Sequence, residues 1–297
     1  MTNQRRIGQF TVSALGLGAM PFSMNNSGTT TPRDQAIATV HAALDAGVTL
    51  VDTADIYAPS WDTVGHNEEI VAEALASYAG DTSGVVVATK GGITRSEPDG
   101  WGRDASSKHL RAAAEASAGR LGVETIDLYY WHRPDRTRVY ADVIETLAEL
   151  KRDGLIAEIG ISNANVEEIQ IALDVLGDGG LAAVQNEFSP KFNHTSYPEL
   201  TFCGKRGVAF LPWSPLGGTG GAASAVGDRF GSIATVADAH GVSPQQVTLA
   251  WELSLGDHVI PIPGASRPAS ITDSAKAMEL TLSGDELESI SAALLQR

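Results

Sequence analysis

Proton transfer to a carbonyl oxygen is the chemistry that four side chains of this sequence could perform together: Asp52, Tyr57, Lys90 and His132. A tyrosine hydroxyl can donate a proton to such an oxygen, and a neutral histidine can hold that oxygen by a hydrogen bond. A nearby lysine lowers the pKa of a phenol and eases proton transfer near neutral pH. Lys90 ends a buried apolar run and needs a carboxylate partner, which Asp52 could provide. None of the four can supply a hydride, so this chemistry requires a cofactor.

A purely structural interpretation exists for each of these residues. Asp52 and His132 could be strand-end residues bonded to backbone amides, and Tyr57 could be an ordinary loop tyrosine. A buried pair of Lys90 and Asp52 could serve stability alone. A tyrosine beside that pair is the less expected addition, and it favours the catalytic interpretation.

A second set of residues has the types that suit a dinucleotide. Ser162, Asn163 and Gln185 carry hydroxyl and amide groups that fit a carboxamide, and Trp213 offers a flat face for stacking. The glycine-rich turn after Trp213 leaves backbone amides open to a phosphate. Arg267, just before a predicted helix, could pair with a further phosphate.

Short apolar runs alternate with amphipathic helical patterns along the whole chain. The predicted strands lie at residues 15–17, 48–51, 85–88, 126–131, 155–161, 181–184, 208–211 and 259–262. Buried runs separated by helices indicate parallel strands joined by right-handed crossovers. Eight such runs favour an α/β fold of the closed (β/α)8 TIM-barrel type, with a doubly wound open sheet as the alternative. In such a barrel the polar residues that follow the strands meet at one mouth.

Two elements flank the predicted barrel. A small N-terminal β-hairpin, turning at Gly8-Gln9, precedes it, and a capping box from Ser283 to Glu286 begins an extra C-terminal helix after it. Thr31-Pro32 and Ser243-Pro244 each predict a helix start, with a hydroxyl cap followed by proline. The glycine-rich stretch 217–224 is interpreted as a loop, so residues 1–297 are predicted to form a single domain.

The composition excludes several classes of function. Among 297 residues, 21 Lys and Arg face 36 Asp and Glu, a net charge of −15 that argues against binding nucleic acid or an anionic membrane. No apolar run approaches the roughly 18 residues of a membrane helix, and no signal peptide is predicted. The single cysteine, Cys203, excludes an intramolecular disulfide and a multi-cysteine metal site, and it favours a reducing, cytoplasmic location.

Two partial motifs carry little weight. Residues 16–21 begin like a dinucleotide fingerprint but lack its third glycine, and they are better interpreted as the first barrel strand. Residues 160–164 nearly match the nucleophile elbow of hydrolases and fail at the last position. No His-Glu-x-x-His motif or paired-cysteine metal site is present in the sequence.

At this level the sequence resembles the aldo-keto reductase family over essentially its whole length. The segments that carry the resemblance are Leu15-Gly16-Leu17-Gly18, Val51-Asp52-Thr53-Ala54-Asp55-Ile56-Tyr57, Ala88-Thr89-Lys90, Asp127-Leu128-Tyr129-Tyr130-Trp131-His132, Gly160-Ile161-Ser162-Asn163, Val184-Gln185, Trp213-Ser214-Pro215-Leu216 and Ile262-Pro263-Gly264. The family has a (β/α)8 barrel without a Rossmann domain and reduces carbonyl groups with a nicotinamide cofactor.

The resemblance implies a role for each residue of the site. Tyr57 would be the general acid in reduction, Asp52 would hold Lys90 beside it, and His132 would orient the carbonyl. Ser162, Asn163 and Gln185 would bind the nicotinamide carboxamide, and Trp213 would stack on the ring. The implied cofactor site extends to Gly18, Met20, Ser214, Pro215, Leu216, Gly217, Gly218, Pro263, Gly264, Ser266, Arg267, Ser270, Asp273 and Ser274.

The adenosine end departs from part of the family. Many members have Lys-Ser after Ile-Pro, a later Arg, and a final Glu-Asn, where this chain has Gly264-Ala265, Ser270 and Asp273-Ser274. Arg267 is then the one cation left to meet a 2′-phosphate. We expect NADPH to be favoured, with NADH as the alternative.

The substrate is a small carbonyl compound of open identity. Aromatic residues at Phe22, Trp61, Trp101 and Phe188 are candidates for the pocket wall, and the loop at residues 91–102 could close over it. The sequence does not distinguish among aliphatic aldehydes, sugars and natural-product ketones as substrates. Two other functions stay open: a cofactor-binding subunit like those of some ion channels, and a dehydrogenase that oxidises sugars. The oligomeric state is also left open.

Overall fold

The computed structural model describes residues 3–24, 29–98, 100–218 and 221–295. A hairpin of β1 (Gln4–Ile7) and β2 (Phe10–Ser13) precedes a seven-stranded sheet. The strands of that sheet are β3 (Leu17–Gly18), β4 (Leu50–Asp52), β5 (Val86–Gly91), β8 (Ile126–Trp131), β9 (Ile156–Ser162), β10 (Leu181–Glu187) and β11 (Ala209–Trp213). All neighbouring strands of this sheet are parallel, as the buried apolar runs predict.

Residues 258–264 close the sheet into a barrel. Phe210 N bonds to His258 O at 2.7 Å on one side, and Gly18 N bonds to Pro263 O at 3.0 Å on the other. Pro261 and Pro263 have no N–H to donate, so this eighth segment joins its neighbours through fewer hydrogen bonds than a regular strand. The predicted eighth strand is therefore an extended closing segment, and the predicted (β/α)8 barrel is confirmed.

Helices cover the outside of the barrel and connect successive strands. They are α1 (Arg33–Asp45), α2 (His66–Ser77), α3 (Ser107–Leu121), α4 (Tyr140–Arg152), α5 (Val166–Leu176), α6 (Asn193–Arg206), α7 (Val226–Arg229), α8 (Gly231–His240), α9 (Pro244–Ser254), α10 (Pro268–Ala275) and α11 (Gly284–Leu295). A second antiparallel hairpin, β6 (Ile93–Ser96) with β7 (Gly100–Arg103), follows β5. It overlaps the region, residues 91–102, that is predicted from the sequence to be a loop able to close over the site.

The interior of the barrel is apolar, and the N-terminal hairpin packs against it. Ile7 and Val12 belong to one buried cluster with Leu50, Leu128 and Leu211 of the barrel strands. The hairpin turns at Gly8, whose φ of +54° suits glycine, as predicted. It therefore adds apolar residues to the barrel core, away from the strand ends that carry the polar residues.

The helix caps predicted from the sequence are present at two of three positions. Ser243 accepts a hydrogen bond from Gln246 N at the start of α9, and Ser283 and Glu286 form the predicted capping box. The prediction for Thr31 is wrong: α1 begins after Pro32, and Thr31 Oγ1 donates to Pro21 O at 3.0 Å instead. The hydroxyl therefore ties down the loop after β3.

Candidate active site

Lys90 is the centre of the site. It is the last residue but one of β5, its side chain is fully buried, and its ammonium has three acceptors around it. Nζ donates to Asp52 Oδ1 at 2.6 Å, to Thr53 O at 2.7 Å and to Tyr57 Oη at 3.4 Å. Burial alone would lower the pKa of Lys90, but Asp52 and Tyr57 raise it above its ordinary value. Lys90 is therefore a fixed cation against the phenol of Tyr57.

The rings of Tyr57 and His132 contact each other. They meet edge to face, with centroids 5.7 Å apart and planes at 82°. Because Lys90 donates to Tyr57 Oη, the phenolic proton is left to be donated elsewhere. Burial, together with Lys90 and Arg133, holds the pKa of His132 well below its ordinary value, so this imidazole is neutral.

Burial and Lys90 act in opposite directions on the pKa of Tyr57. Burial raises the pKa of its phenol above the ordinary value, while the charge of Lys90 opposes that rise. The lowering by Lys90 that the sequence predicts is therefore present, but burial, whose extent the sequence does not reveal, outweighs it. Tyr57 is accordingly protonated throughout the physiological pH range, which is the form a general acid requires.

A second layer of buried polar residues holds the two strand ends together. Glu68 of α2 accepts hydrogen bonds from Thr89 Oγ1 and Arg120 Nε, each at 2.6 Å. Asn67 Oδ1 accepts a hydrogen bond from Thr53 Oγ1 at 2.7 Å. Thr53 and Thr89 each lie one residue from a member of the central cluster. These bonds therefore anchor the backbone that carries Asp52 and Lys90.

The amide residues predicted for a carboxamide lie beside this cluster. Gln185 Nε2 donates to Asp52 Oδ2 at 2.7 Å, and Ser162 Oγ donates to Gln185 O at 2.7 Å. Asn163 Nδ2 donates to His132 O at 3.0 Å, and its backbone takes a left-handed φ of +59°. The three side chains thus form one connected network with the proton-transfer residues.

The segment after β11 turns sharply around the cavity. Ser214 has φ +55°, and Gly217 N bonds back to Ser214 O at 2.9 Å. Gly218 has φ +90°, which an L side chain rarely adopts. Trp213 Nε1 is buried without a hydrogen-bond partner in the described residues. A bound group could therefore contact the indole of Trp213 and accept hydrogen bonds from the backbone amides of this loop.

A single cavity of about 410 Å³ joins these features. Its lining includes predicted catalytic residues Asp52, Tyr57 and His132, and predicted cofactor residues Gly18, Met20, Ser162, Asn163, Gln185, Trp213, Ser214, Pro215, Leu216, Gly218, Pro263 and Gly264. Lys90 lies directly behind Tyr57 rather than on the wall. The predicted residues Gly217, Ser266, Arg267, Ser270, Asp273 and Ser274 are outside the lining.

Two residues predicted for the adenosine end of the cofactor, Arg267 and Asp273, have different environments in the structure. Arg267 is exposed directly before α10. Asp273 is turned to α9 instead: Oδ2 accepts from Ser243 Oγ and Oδ1 from Gln246 Nε2, both at 2.6 Å. Asp273 therefore ties two helices together, and its carboxylate is already occupied.

The aromatic predictions for the pocket wall have different outcomes. Trp101 of β7 lines the cavity and is held by the guanidinium of Arg95, 4.6 Å from its ring. Phe22 and Phe188 are fully buried in the core, and Trp61 lies on the surface outside the cavity lining. These three residues therefore do not line the cavity: Phe22 and Phe188 pack inward, and Trp61 is exposed to solvent.

Several wall residues were not assigned to the site from the sequence. Pro21, Met24, Ile56, Ile93, Arg133, Ala223 and Ile262 complete the lining. Arg133 carried a usable signal, since it directly follows His132 at the end of β8. The apolar residues carried none, because only the folded loops decide which of them face the cavity.

The residues present fit a nicotinamide dinucleotide. The amide network lies beside Tyr57 and His132, the face of Trp213 borders the same cavity, and the Ser214–Gly218 turn follows it. The buried indole N–H without a partner is the kind of atom that a bound group can satisfy. Within the described residues no cluster of three or more His, Cys, Asp or Glu could hold a metal ion, and no helix is long and apolar enough to cross a membrane.

Comparison with known proteins identifies the family. The model of the aldo/keto reductase family matches residues 14–294, and the chain therefore belongs to this family of oxidoreductases. An uncharacterised oxidoreductase of Schizosaccharomyces pombe is 31% identical over 282 residues, covering 94% of this chain and 86% of the relative. A 6-dehydroglucose reductase of Novosphingobium aromaticivorans is 35% identical over 256 residues, covering 84% of this chain and 82% of the relative.

Solved structures agree with the barrel and with the family. A glycerol dehydrogenase of Gluconobacter oxydans superposes with a TM-score of 0.82 at 26% identity, covering 99% of this chain and 95% of the other. An aldo/keto reductase of Klebsiella pneumoniae, solved in complex with NADP and acetate, superposes with a TM-score of 0.80 at 27% identity, covering 98% and 95%.

Proposed function

We propose that this protein reduces an aldehyde or ketone to an alcohol with NADPH, and that Tyr57 is the general acid. The observation that carries the proposal is the arrangement around Tyr57 Oη. Lys90 donates to that oxygen from behind at 3.4 Å, so the phenolic proton is free for a carbonyl oxygen in the cavity. Asp52 keeps Lys90 charged and in place.

His132 and the amide network position the reactants. Neutral His132 donates a hydrogen bond to the carbonyl oxygen and so holds it within reach of the Tyr57 proton. Asn163 and Gln185 bind the carboxamide, and Trp213 covers one face of the ring. When bound, the nicotinamide supplies the hydride. In the reverse reaction Tyr57 accepts the proton, so the same residues serve oxidation.

The cofactor assignment rests on two supports. The residues of the cavity suit a nicotinamide dinucleotide, and related structures were solved with NADP or NADPH. Arg267 supplies a cation for the 2′-phosphate, and this supports NADPH over NADH. The single cysteine, Cys203, is buried, in keeping with the proposed cytoplasmic location.

The proposed substrates are small carbonyl compounds, with sugar carbonyls and the side-chain ketones of natural products as candidates. Ile56, Ile93 and Trp101 give the cavity an apolar wall beside the catalytic residues. A sugar carbonyl is supported by the 35% identical relative named as a 6-dehydroglucose reductase. The hydroxyl-rich face of a sugar would then turn towards the open mouth.

NADPH oxidation, followed by the loss of absorbance at 340 nm, tests the proposed function with a panel of aldehydes and ketones. Tyr57→Phe removes only the proton donor, so kcat/KM should fall about 10²- to 10⁴-fold. Quenching of tryptophan fluorescence by NADPH should be nearly unchanged in this variant. Near-normal turnover by Tyr57→Phe would disprove the role of Tyr57. Quenching without turnover of any carbonyl would favour a cofactor-binding subunit instead.

A further inference from the structure

Arg133 differs from the other arginines around the cavity mouth. Arg95 donates to Ala58 O at 2.7 Å, Arg103 to Pro134 O at 2.8 Å, and Arg136 to Glu168 Oε1 at 3.3 Å. Arg138 lies 3.9 Å from Asp135 Oδ2. Within the described ranges the guanidinium of Arg133 has no hydrogen bond and no ion pair within 4 Å. It is nevertheless half-buried, so part of its hydration has been removed without replacement.

The position of Arg133 places it on the wall of the cavity that holds the proton-transfer residues. It directly follows His132, whose backbone is fixed by His132 N to Gly91 O at 3.0 Å and by Asn163 Nδ2 to His132 O at 3.0 Å. Its guanidinium carbon lies 6.0 Å from the ring of Trp213, and the residue lines the same cavity as Tyr57 and His132. A ligand in that cavity can therefore contact Arg133 and the proton-transfer residues at once.

The charge of Arg133 also reaches the reacting groups. Burial lowers the pKa of His132, with Lys90 and then Arg133 adding to that effect. Burial raises the pKa of Tyr57, and Arg133 is one of the cations that oppose the rise. The charge of Arg133 also acts on Glu187: burial raises the pKa of this carboxyl, and Lys191 and Arg133 oppose the rise. No ion pair between Arg133 and Glu187 forms among the described side chains.

The charged residues of the cavity wall indicate which ligand charge the cavity can bind. Among the described lining residues, Arg133 is the one Lys or Arg, and Asp52 is the one acid, already bonded to Lys90. Ile56, Ile93 and Trp101 form an apolar part of the wall, and the amide and hydroxyl side chains beside Tyr57 carry no charge. One planar cation without a paired acid matches one carboxylate, which it can bind through two parallel hydrogen bonds. A doubly charged phosphate would leave uncompensated charge there.

We propose that Arg133 binds the carboxylate of an anionic carbonyl substrate, so that the enzyme prefers oxo acids, semialdehydes or sugar acids to neutral carbonyl compounds of the same shape. This inference rests on the proposed function and narrows its substrate class. Arg133 is a specificity-determining residue in this scheme. Binding of the distant carboxylate orients the carbonyl towards Tyr57 and His132.

A matched pair of substrates tests the proposal. 4-Carboxybenzaldehyde and 4-nitrobenzaldehyde have similar planar shapes, but only the first carries a charge. Arg133→Gln should lower kcat/KM for the carboxylate substrate at least tenfold more than kcat/KM for the nitro substrate, and the difference should lie mainly in KM. Arg133→Lys should recover part of the loss. Arg136→Gln, which removes a nearby arginine paired with Glu168, should leave the ratio of the two substrates unchanged.

Binding of benzoate gives a second readout that does not need turnover. Quenching of the fluorescence of the NADP⁺-saturated protein measures the binding of each compound. We expect benzoate to bind with a lower Kd than benzamide, and we expect Arg133→Gln to remove this difference. Equal loss for both aldehydes, or no loss for either, would overturn the inference while the proposed reductase function stands. If the wild type reduces neither aldehyde, nor any other carbonyl, the reductase proposal fails. The dependence of benzoate binding on Arg133 then still decides whether the anion site exists.

Discussion

Lys90 Nζ lies 2.6 Å from Asp52 Oδ1, and the two side chains are 0% and 3% exposed. Removing one partner from such a pair leaves an uncompensated buried charge and costs about 3–5 kcal/mol. The pair is nevertheless more than a structural ion pair, because the same ammonium also donates to Tyr57 Oη. Stability and the acidity of Tyr57 are therefore coupled through one nitrogen atom.

Lys90→Met should separate these two contributions. The single variant loses stability because Asp52 stays buried without its cation, whereas Lys90→Met combined with Asp52→Asn regains much of it. Both variants should keep only a small residual activity. In the oxidation direction Tyr57 must be ionised, and Lys90 opposes the rise that burial causes in its pKa. The alkaline rise of the oxidation rate should therefore move to higher pH in both variants.

Denaturation curves and pH–rate profiles measure the two effects. Reduction requires protonated Tyr57, so its rate in the wild type should stay level through neutral pH and fall only at alkaline pH. An unshifted oxidation profile in the double variant would show that Lys90 does not set the acidity of Tyr57. Glu115→Gln, an exposed change on α3, serves as a control for general effects of altered charge.

The central cluster could be anticipated because each member follows an apolar run at a strand end. The arrangement of β4, β5 and β8 then brings Asp52, Lys90 and His132 together by the rule that parallel strands end at one face. The loops were less predictable. Phe22 and Met24 lie two residues apart, yet only Met24 faces the cavity. No periodicity decides such a choice in irregular backbone, since packing against distant residues determines it.

Arg267 should control the preference between NADPH and NADH. It is exposed at the start of α10, and among the described residues its side chain has no ion pair that would neutralise it. Arg267→Ala should raise KM for NADPH by roughly 5- to 150-fold, equal to about 1–3 kcal/mol for a charged hydrogen bond, and leave KM for NADH almost unchanged. Steady-state kinetics with both cofactors check this. Lys276→Ala, just after the other end of the helix, is the matched control. Equal effects on both cofactors would refute the assignment.

Asp273 should act on stability rather than on cofactor choice. Its two oxygens accept hydrogen bonds from Ser243 Oγ and Gln246 Nε2 and so connect α10 to the start of α9. Asp273→Ala should lower the free energy of unfolding by about 1–3 kcal/mol because two partly buried donors lose their acceptor. Thermal unfolding and the KM for each cofactor are the measurements. A large rise in KM with unchanged stability would instead place this carboxylate at the adenosine.

Glu252 should make the protein less stable as the pH rises. This residue of α9 is 0% exposed, and both carboxyl oxygens are without a partner among the described residues. Burial raises its pKa well above the ordinary value, so the folded state holds a proton that the unfolded chain releases near pH 4.3. Between those two pKa values each pH unit removes about 1.4 kcal/mol of stability. Glu252 therefore lowers the free energy of unfolding least in acid and progressively more as the pH rises.

Glu252→Leu removes this dependence and fills the same space with an apolar side chain. Glu252→Leu should raise the free energy of unfolding at pH 8 by more than at pH 5. The reason is that only the wild type releases a proton from this position on unfolding, and that release favours unfolding more at higher pH. Glu252→Gln keeps the shape and the unsatisfied polar atoms, so it should remove the pH dependence with a smaller gain at pH 8. Urea denaturation at the two pH values measures both. An equal shift at pH 5 and pH 8 in both variants would mean that Glu252 is not the protonated buried acid that its surroundings require.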